Sequence, residues 1–184
     1  MFDRKLPLSQ KVINWTITFI SIFACVMGMY MRLPGMTLMG MAPNWLLIWL
    51  VTWSVNRPVI LTVIAGVALG LVQDSMTVTE LAGLGSVPTH TLGLAIAGGL
   101  TSLLQKQRYV QEDFISIALI VFAMAVIVET MHALQLVMLG SEIDLIWTMH
   151  QRIALGSAIL SSLWSPVIYF PLSRWWRSLE KQEE

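Results

Sequence analysis

Residues 114–139 read FISIALIVFAMAVIVETMHALQLVML, a stretch in which Glu129 is the one formal charge and His132 the one further titratable side chain. Roughly 20 predominantly apolar residues cross the ~30 Å hydrocarbon core of a bilayer as a helix, so this segment is long enough to span it. Comparable gaps between charges recur on both sides. One fills residues 12–31, between Lys11 and Arg32. A second lies between Leu33 and Asn56, where Pro34, Gly35, Gly40 and Pro43 move the helix start to Asn44. A third opens at Pro58, whose fixed φ and missing N–H suit a first helical turn. The sequence therefore predicts an all-α membrane protein of six transmembrane helices at 12–31, 44–56, 58–73, 83–105, 114–139 and 153–173, forming a single polytopic membrane domain over 1–184. The second and third of these are short.

Composition agrees. The chain is 56% hydrophobic and only 12% charged, where a soluble domain carries about 25% charged residues. A formal net charge of zero, with no basic tract, argues against nucleic acid as a partner. The single cysteine, Cys25, can form no intramolecular disulfide. The first apolar run exceeds the 7–15 residues of a signal peptide's core and lacks a small-residue cleavage site, so it is expected to remain as an anchor.

Orientation follows from the distribution of Lys and Arg. With the N-terminus inside, Arg4, Lys5, Lys11, Arg57, Lys106, Arg108, Arg174, Arg177 and Lys181 are cytoplasmic and only Arg32 and Arg152 lie opposite, which predicts an N-in, C-in bundle. Trp15, Trp175 and Trp176 then fall at the inner headgroup level, and Asp74, Glu80, Glu142 and Asp144 fall outside. Trp45, Trp49 and Trp53 recur every four residues on one helical face, a spacing that suits either packing or an aromatic ligand platform. Gly66 with Gly70, and Ala95 with Gly99, have the small-xxx-small spacing that lets membrane helices approach closely.

Ionisable side chains at bilayer depth are costly, and they mark function or internal pairing. Glu129 and His132, three apart, share one face of the fifth helix. Three readings stand: a hydrogen-bonded internal pair, a polar cavity for a small solute or proton, or a partner-binding position. A di-iron site would need a second Glu-x-x-His and two more Glu residues, so no metal is expected. Asp74 is expected to stay hydrated at the outer interface or to pair with Arg152, and His90 to be an interfacial residue. Methionines 27, 29, 31, 36, 39 and 41, with no His among them, read as gap fillers. No P-loop, G-x-S-x-G or H-E-x-x-H is present, and no catalysis or cofactor is expected.

The segment from Pro43 to Asp74, PNWLLIWLVTWSVNRPVILTVIAGVALGLVQD, resembles the central region of the bacterial rod shape-determining protein MreD family. The matching features are Pro43 followed by Trp45, Leu46 and Leu47, then Trp53, the Arg57–Pro58 turn, and Gly66, Gly70, Leu71 and Asp74 in a G-x-x-x-G-L-x-x-D pattern. The segment after Asp74 departs from the family by its length and by Pro88, and Glu129 with His132 is not a family signature. The resemblance implies a bundle similar to the substrate-binding subunits of energy-coupling-factor vitamin transporters. It further implies a non-enzymatic inner-membrane scaffold of the cell-elongation complex, binding MreC and supporting MreB and the peptidoglycan synthases RodA and a class B penicillin-binding protein, with membrane lipid around it. The alternative is a small-solute or vitamin-binding transport subunit using a cavity at Glu129 and His132.

Overall fold

Ten residues, Trp45–Ser54, form the helix around which the others are arranged. The computed structural model describes residues 8–31, 37, 40–55, 57–77, 80–81, 85–86, 88–106, 114–140 and 142–180. In chain order these contain α1 (Leu8–Tyr30), α2 (Trp45–Ser54), α3 (Val59–Met76), β1 (Glu80–Leu81), β2 (Gly85–Ser86), α4 (Thr91–Lys106), α5 (Phe114–Met138) and α6 (Ile143–Glu180). Six helices are present, of which α1, α3, α5 and α6 are long and apolar enough to cross a membrane. α2 and α4 are shorter apolar helices.

α2 is apolar on every face, and a helix of that kind must be enclosed. Leu46, Leu47, Ile48, Leu50 and Val51 are all 0% exposed. At about 1.5 Å per residue its ten residues cover only ~15 Å, half of the hydrocarbon core, and they fill the interior of the bundle. Its polar end is tied down. Asn44 Oδ1 accepts the Leu47 N–H at 3.1 Å as an N-cap, while the Asn44 N–H donates to Ser161 Oγ of α6 at 2.9 Å. Trp49 Nε1 donates to Ser21 Oγ of α1 at 2.8 Å. Trp49→Phe keeps most of the ring but removes this donor, and should lower stability by about 1 kcal/mol. The check is the melting temperature of the detergent-solubilised protein, and an unchanged value would show that the bond contributes nothing.

The tryptophan stripe is thus packing. Trp45 lies against Trp164 with ring centroids 5.7 Å apart, and Trp49 stacks on Trp53 at the same distance. Gly28 of α1 leaves room for the Trp45 ring, 3.2 Å from where a Cβ would stand. Met41 fills a gap over Gly156; Met36 and Met39 lie outside the described residues.

α3 and α4 form an antiparallel pair built on glycine. A Cβ on Gly66 would stand 2.5 Å from the Leu94 carbonyl oxygen and 2.8 Å from Ala95 Cα, and one on Gly98 would stand 2.5 Å from the Thr62 carbonyl oxygen. The small residues recognised in the sequence therefore lie at one crossing. α5 packs chiefly on α6, so the bundle contains two helical hairpins, α3/α4 and α5/α6, with α2 between them and α1 outside against α2. Large apolar side chains face outward, including Phe19 and Phe23 of α1, Ile60 and Ile64 of α3, Ile115 and Leu119 of α5, and Leu163 of α6. A soluble protein does not expose apolar surface of this extent, and lipid covers it.

Two helices differ most from the sequence expectation. The fourth helix begins at Thr91 rather than 83, because residues 80–86 contain a short antiparallel pairing of Glu80 with Ser86 and Leu81 with Gly85, and Pro88 then interrupts the backbone. The sixth runs over Ile143–Glu180 rather than 153–173. Arg152 and Arg174 mark where an apolar segment ends, which says nothing about where helical hydrogen bonding ends. Its 38 residues are about 57 Å long, more than the hydrocarbon core requires. Pro166 within it leaves the Ser162 carbonyl without its usual N–H donor, and the Ser165 hydroxyl donates to that oxygen instead at 2.8 Å.

Candidate functional site

A helix of the α4 type begins with N–H groups that have no partner inside the helix. Here α3 supplies the partner. Asp74 Oδ1 accepts the backbone N–H groups of Thr89 and His90 at 3.1 and 2.8 Å, and Oδ2 accepts the Thr91 N–H at 3.1 Å and the Thr91 hydroxyl at 2.6 Å. The carboxylate is the N-cap of a helix that starts 17 residues later in the chain, and its negative charge sits at the positive end of the α4 dipole. His90 Nδ1 lies 2.9 Å from Asp74 Oδ1. An ionised carboxylate only accepts hydrogen bonds, so this nitrogen carries the proton.

The expectation that Asp74 stays hydrated or pairs with Arg152 is corrected by this geometry. Both oxygens are occupied by residues 89–91, only 10% of its side chain is exposed, and Arg152 stands exposed on α6. His90 is likewise no mere interfacial residue. Its ring stacks on that of His132, with centroids 4.4 Å apart and an interplanar angle of 27°. Through this stack the α3/α4 hairpin meets α5.

His132 hydrogen-bonds the backbone of Thr89, and its Nδ1 is buried without a partner. One turn earlier on α5, Glu129 has the Ser157 hydroxyl of α6 as its side-chain hydrogen-bond partner. The two residues paired by sequence spacing are thus engaged with different helices. Together Asp74, His90, Thr91, His132, Glu129 and Ser157 make one polar cluster drawn from α3, α4, α5 and α6, lying where the two hairpins join. Gln73, next to Asp74, is only 5% exposed and leaves Oε1 unpartnered, as does Gln135 on α5.

Sequence reasoning passed over Thr89, Thr91 and Ser157. The threonines had a signal: Pro88-Thr89-His90-Thr91 before an apolar run is the composition of a helix start. Ser157 had none, since a serine in an apolar helix has many uses. Among the described residues no group of three or more His, Cys, Asp or Glu could hold a metal ion. The chemistry on offer is directional fastening: acceptors and donors aligned across a helix junction, with stacked imidazoles between two carboxyl groups.

The other residues marked in the sequence are dispersed. Pro43, Trp45, Leu46 and Leu47 are buried at the start of α2. Gly66 and Gly70 line the α3/α4 crossing, Gly70 against the Thr91 backbone, while Leu71 faces outward. Arg57 and Pro58 form the α2–α3 turn, where the Arg57 carbonyl accepts the Ser102 hydroxyl at 2.6 Å and its guanidinium lies 4.1 Å from the Trp53 ring centroid.

Comparison with known proteins gives one result at the level of families. The pattern described as rod shape-determining protein MreD matches residues 9–178. No curated protein and no solved structure matches the chain.

Proposed function

Since the chain belongs to the MreD family of rod shape-determining membrane proteins, we propose that it serves as a non-catalytic scaffold of the bacterial cell-elongation complex. In this reading it lies in the inner membrane as one multi-pass domain, N-in and C-in, with an arrangement like that of energy-coupling-factor substrate-binding subunits. It binds MreC, and through that contact supports MreB and the peptidoglycan synthases RodA and a class B penicillin-binding protein. The observation that carries the proposal is the family match over nearly the whole chain. The described helices are consistent with it, four of them being long and apolar enough to cross a membrane.

Glu142 and Asp144, exposed at the α5–α6 turn, are the carboxylates offered to an extracytoplasmic partner. Asp74 is engaged internally and is not among them. A second reading, a small-solute transport subunit, draws support from the unpartnered polar atoms near Glu129 and His132. Depletion of the chain in its rod-shaped host separates the two. Rods that become round, and recover with a plasmid copy, fit the scaffold. Unchanged rods with a new nutrient requirement would reject it in favour of transport.

A further inference from the structure

The polar cluster at the hairpin junction contains two carboxyl groups with unequal support. Asp74 receives five donors, namely three backbone N–H groups, the Thr91 hydroxyl and the His90 ring. Glu129 receives one, the Ser157 hydroxyl. Counted from Phe114 at about 1.5 Å per residue, Glu129 lies ~22 Å along α5, inside the apolar span, where little water is present to solvate a charge. Among the described residues no Lys or Arg acts on it. The ionisable group within its electrostatic reach is His90, whose Nδ1 proton is already given to Asp74.

The described titratable groups that face the junction are few. Asp74 comes from α3, His90 from the start of α4, Glu129 and His132 from α5, and His150 from α6, within electrostatic reach of His132. α2 carries none, and Arg152 of α6 is exposed. His132 is no substitute carrier of a proton. Its Nδ1 has no partner, so Nε2 makes the bond to the Thr89 backbone, and the carbonyl accepts it because the Thr89 N–H is spent on Asp74. A second proton, on Nδ1, would be a buried donor without an acceptor, on a ring stacked 4.4 Å from His90. A carboxylate with so little support at bilayer depth is costly, and such a group takes up a proton instead. We infer that Glu129 is a proton-binding site. It holds a proton as a neutral carboxylic acid bonded to Ser157 while the two hairpins are joined, and releasing that proton adds a second negative charge to a cluster that already holds the Asp74 carboxylate, loosening the junction. The proton exchanges with water where His90 and His150 are part-exposed. The site holds whether the chain is a scaffold or a transport subunit.

Infrared spectroscopy of the detergent-purified full chain tests this directly, because a carboxylic acid has a carbonyl stretch that a carboxylate lacks. The wild type at neutral pH should show that band and Glu129→Gln should lack it. Ser157→Ala removes a hydrogen bond to the carbonyl and should shift the band to higher frequency. Thermal unfolding against pH reads the linked effect. A folded state that holds one more proton than the unfolded chain is fully stabilised below the ordinary carboxylate range and loses that stability as pH rises through the range in which Glu129 titrates. Glu129→Gln is uncharged throughout, and the other groups titrate alike in both proteins. Between about pH 5 and about pH 9 the difference in melting temperature should therefore move in the variant's favour by about 2–4 °C, the shift equivalent to ~1 kcal/mol in a chain of this size. A wild type without the carboxylic-acid band would overturn the proposal. So would a band that Asp74→Asn removes and Ser157→Ala leaves unshifted, or melting curves of wild type and Glu129→Gln that run parallel across the pH range.

Discussion

Asp74→Ala should be among the most damaging single substitutions in the chain, lowering stability by about 3–5 kcal/mol, as removing one partner of a buried charged network does. The carboxylate takes three backbone N–H groups, the Thr91 hydroxyl and the His90 ring. Alanine leaves all of these donors without their acceptor at the start of α4, where there is little water to replace it. Because His90 carries the stack onto His132, the loss should extend to the junction between hairpins. Asp74→Asn retains an acceptor oxygen but loses the charge and points an amide toward other donors, so it should fall between alanine and wild type. His90→Ala removes one of the five bonds and should cost less than either. Thermal unfolding in detergent gives this order directly, and complementation of rod shape in depleted cells should follow it. A wild-type melting temperature for the alanine variant would mean that the cap does not hold α4.

The second large effect is steric. Gly70→Ala places a methyl group within overlap distance of the Thr91 backbone, at the residue Asp74 holds. Backbone cannot rotate aside as a side chain can, so α3 and α4 must separate, at a cost of about 1–3 kcal/mol or more. Gly99→Ala is the control. Its Cβ would stand 3.1 Å from a single Val63 methyl, which can shift slightly. Gly70→Ala should therefore lower both melting temperature and the membrane level of the protein, with Gly99→Ala close to wild type. Equal effects would show that the crossing is governed by helix propensity rather than by contact. The α3/α4 crossing and the Asp74 cap are coupled, because both act on Thr91, and the double variant should be less than additive.

Much of this was legible in the chain. The membrane helices emerge from gaps between charges because the free energy of moving a side chain into hydrocarbon is a property of that residue and sums along the segment. The glycines of α3 and Asp74 could be marked by their spacing and by the family pattern they compose. The resemblance to the family was carried by the same residues, and the family match extends it over residues 9–178.

Other features depended on rotation and neighbours. Whether α2 faces lipid or is enclosed by the bundle cannot be read from an apolar decapeptide, since lipid and protein interior reward the same residues; the burial of Leu46–Val51 shows it enclosed. The ends of α6 were hidden because charges bound an apolar segment and not a helix. Glu129 and His132 share a face by periodicity, yet which groups they meet depends on how four helices pack. By itself the sequence determined that this chain is a bundle of apolar helices of the MreD type with a few expensive polar residues inside. Only the tertiary structure decided that Asp74, His90, His132, Glu129 and Ser157 belong to one cluster, because a hydrogen bond depends on position and angle in space, and residues 74 and 157 have neither relation until the helices are packed.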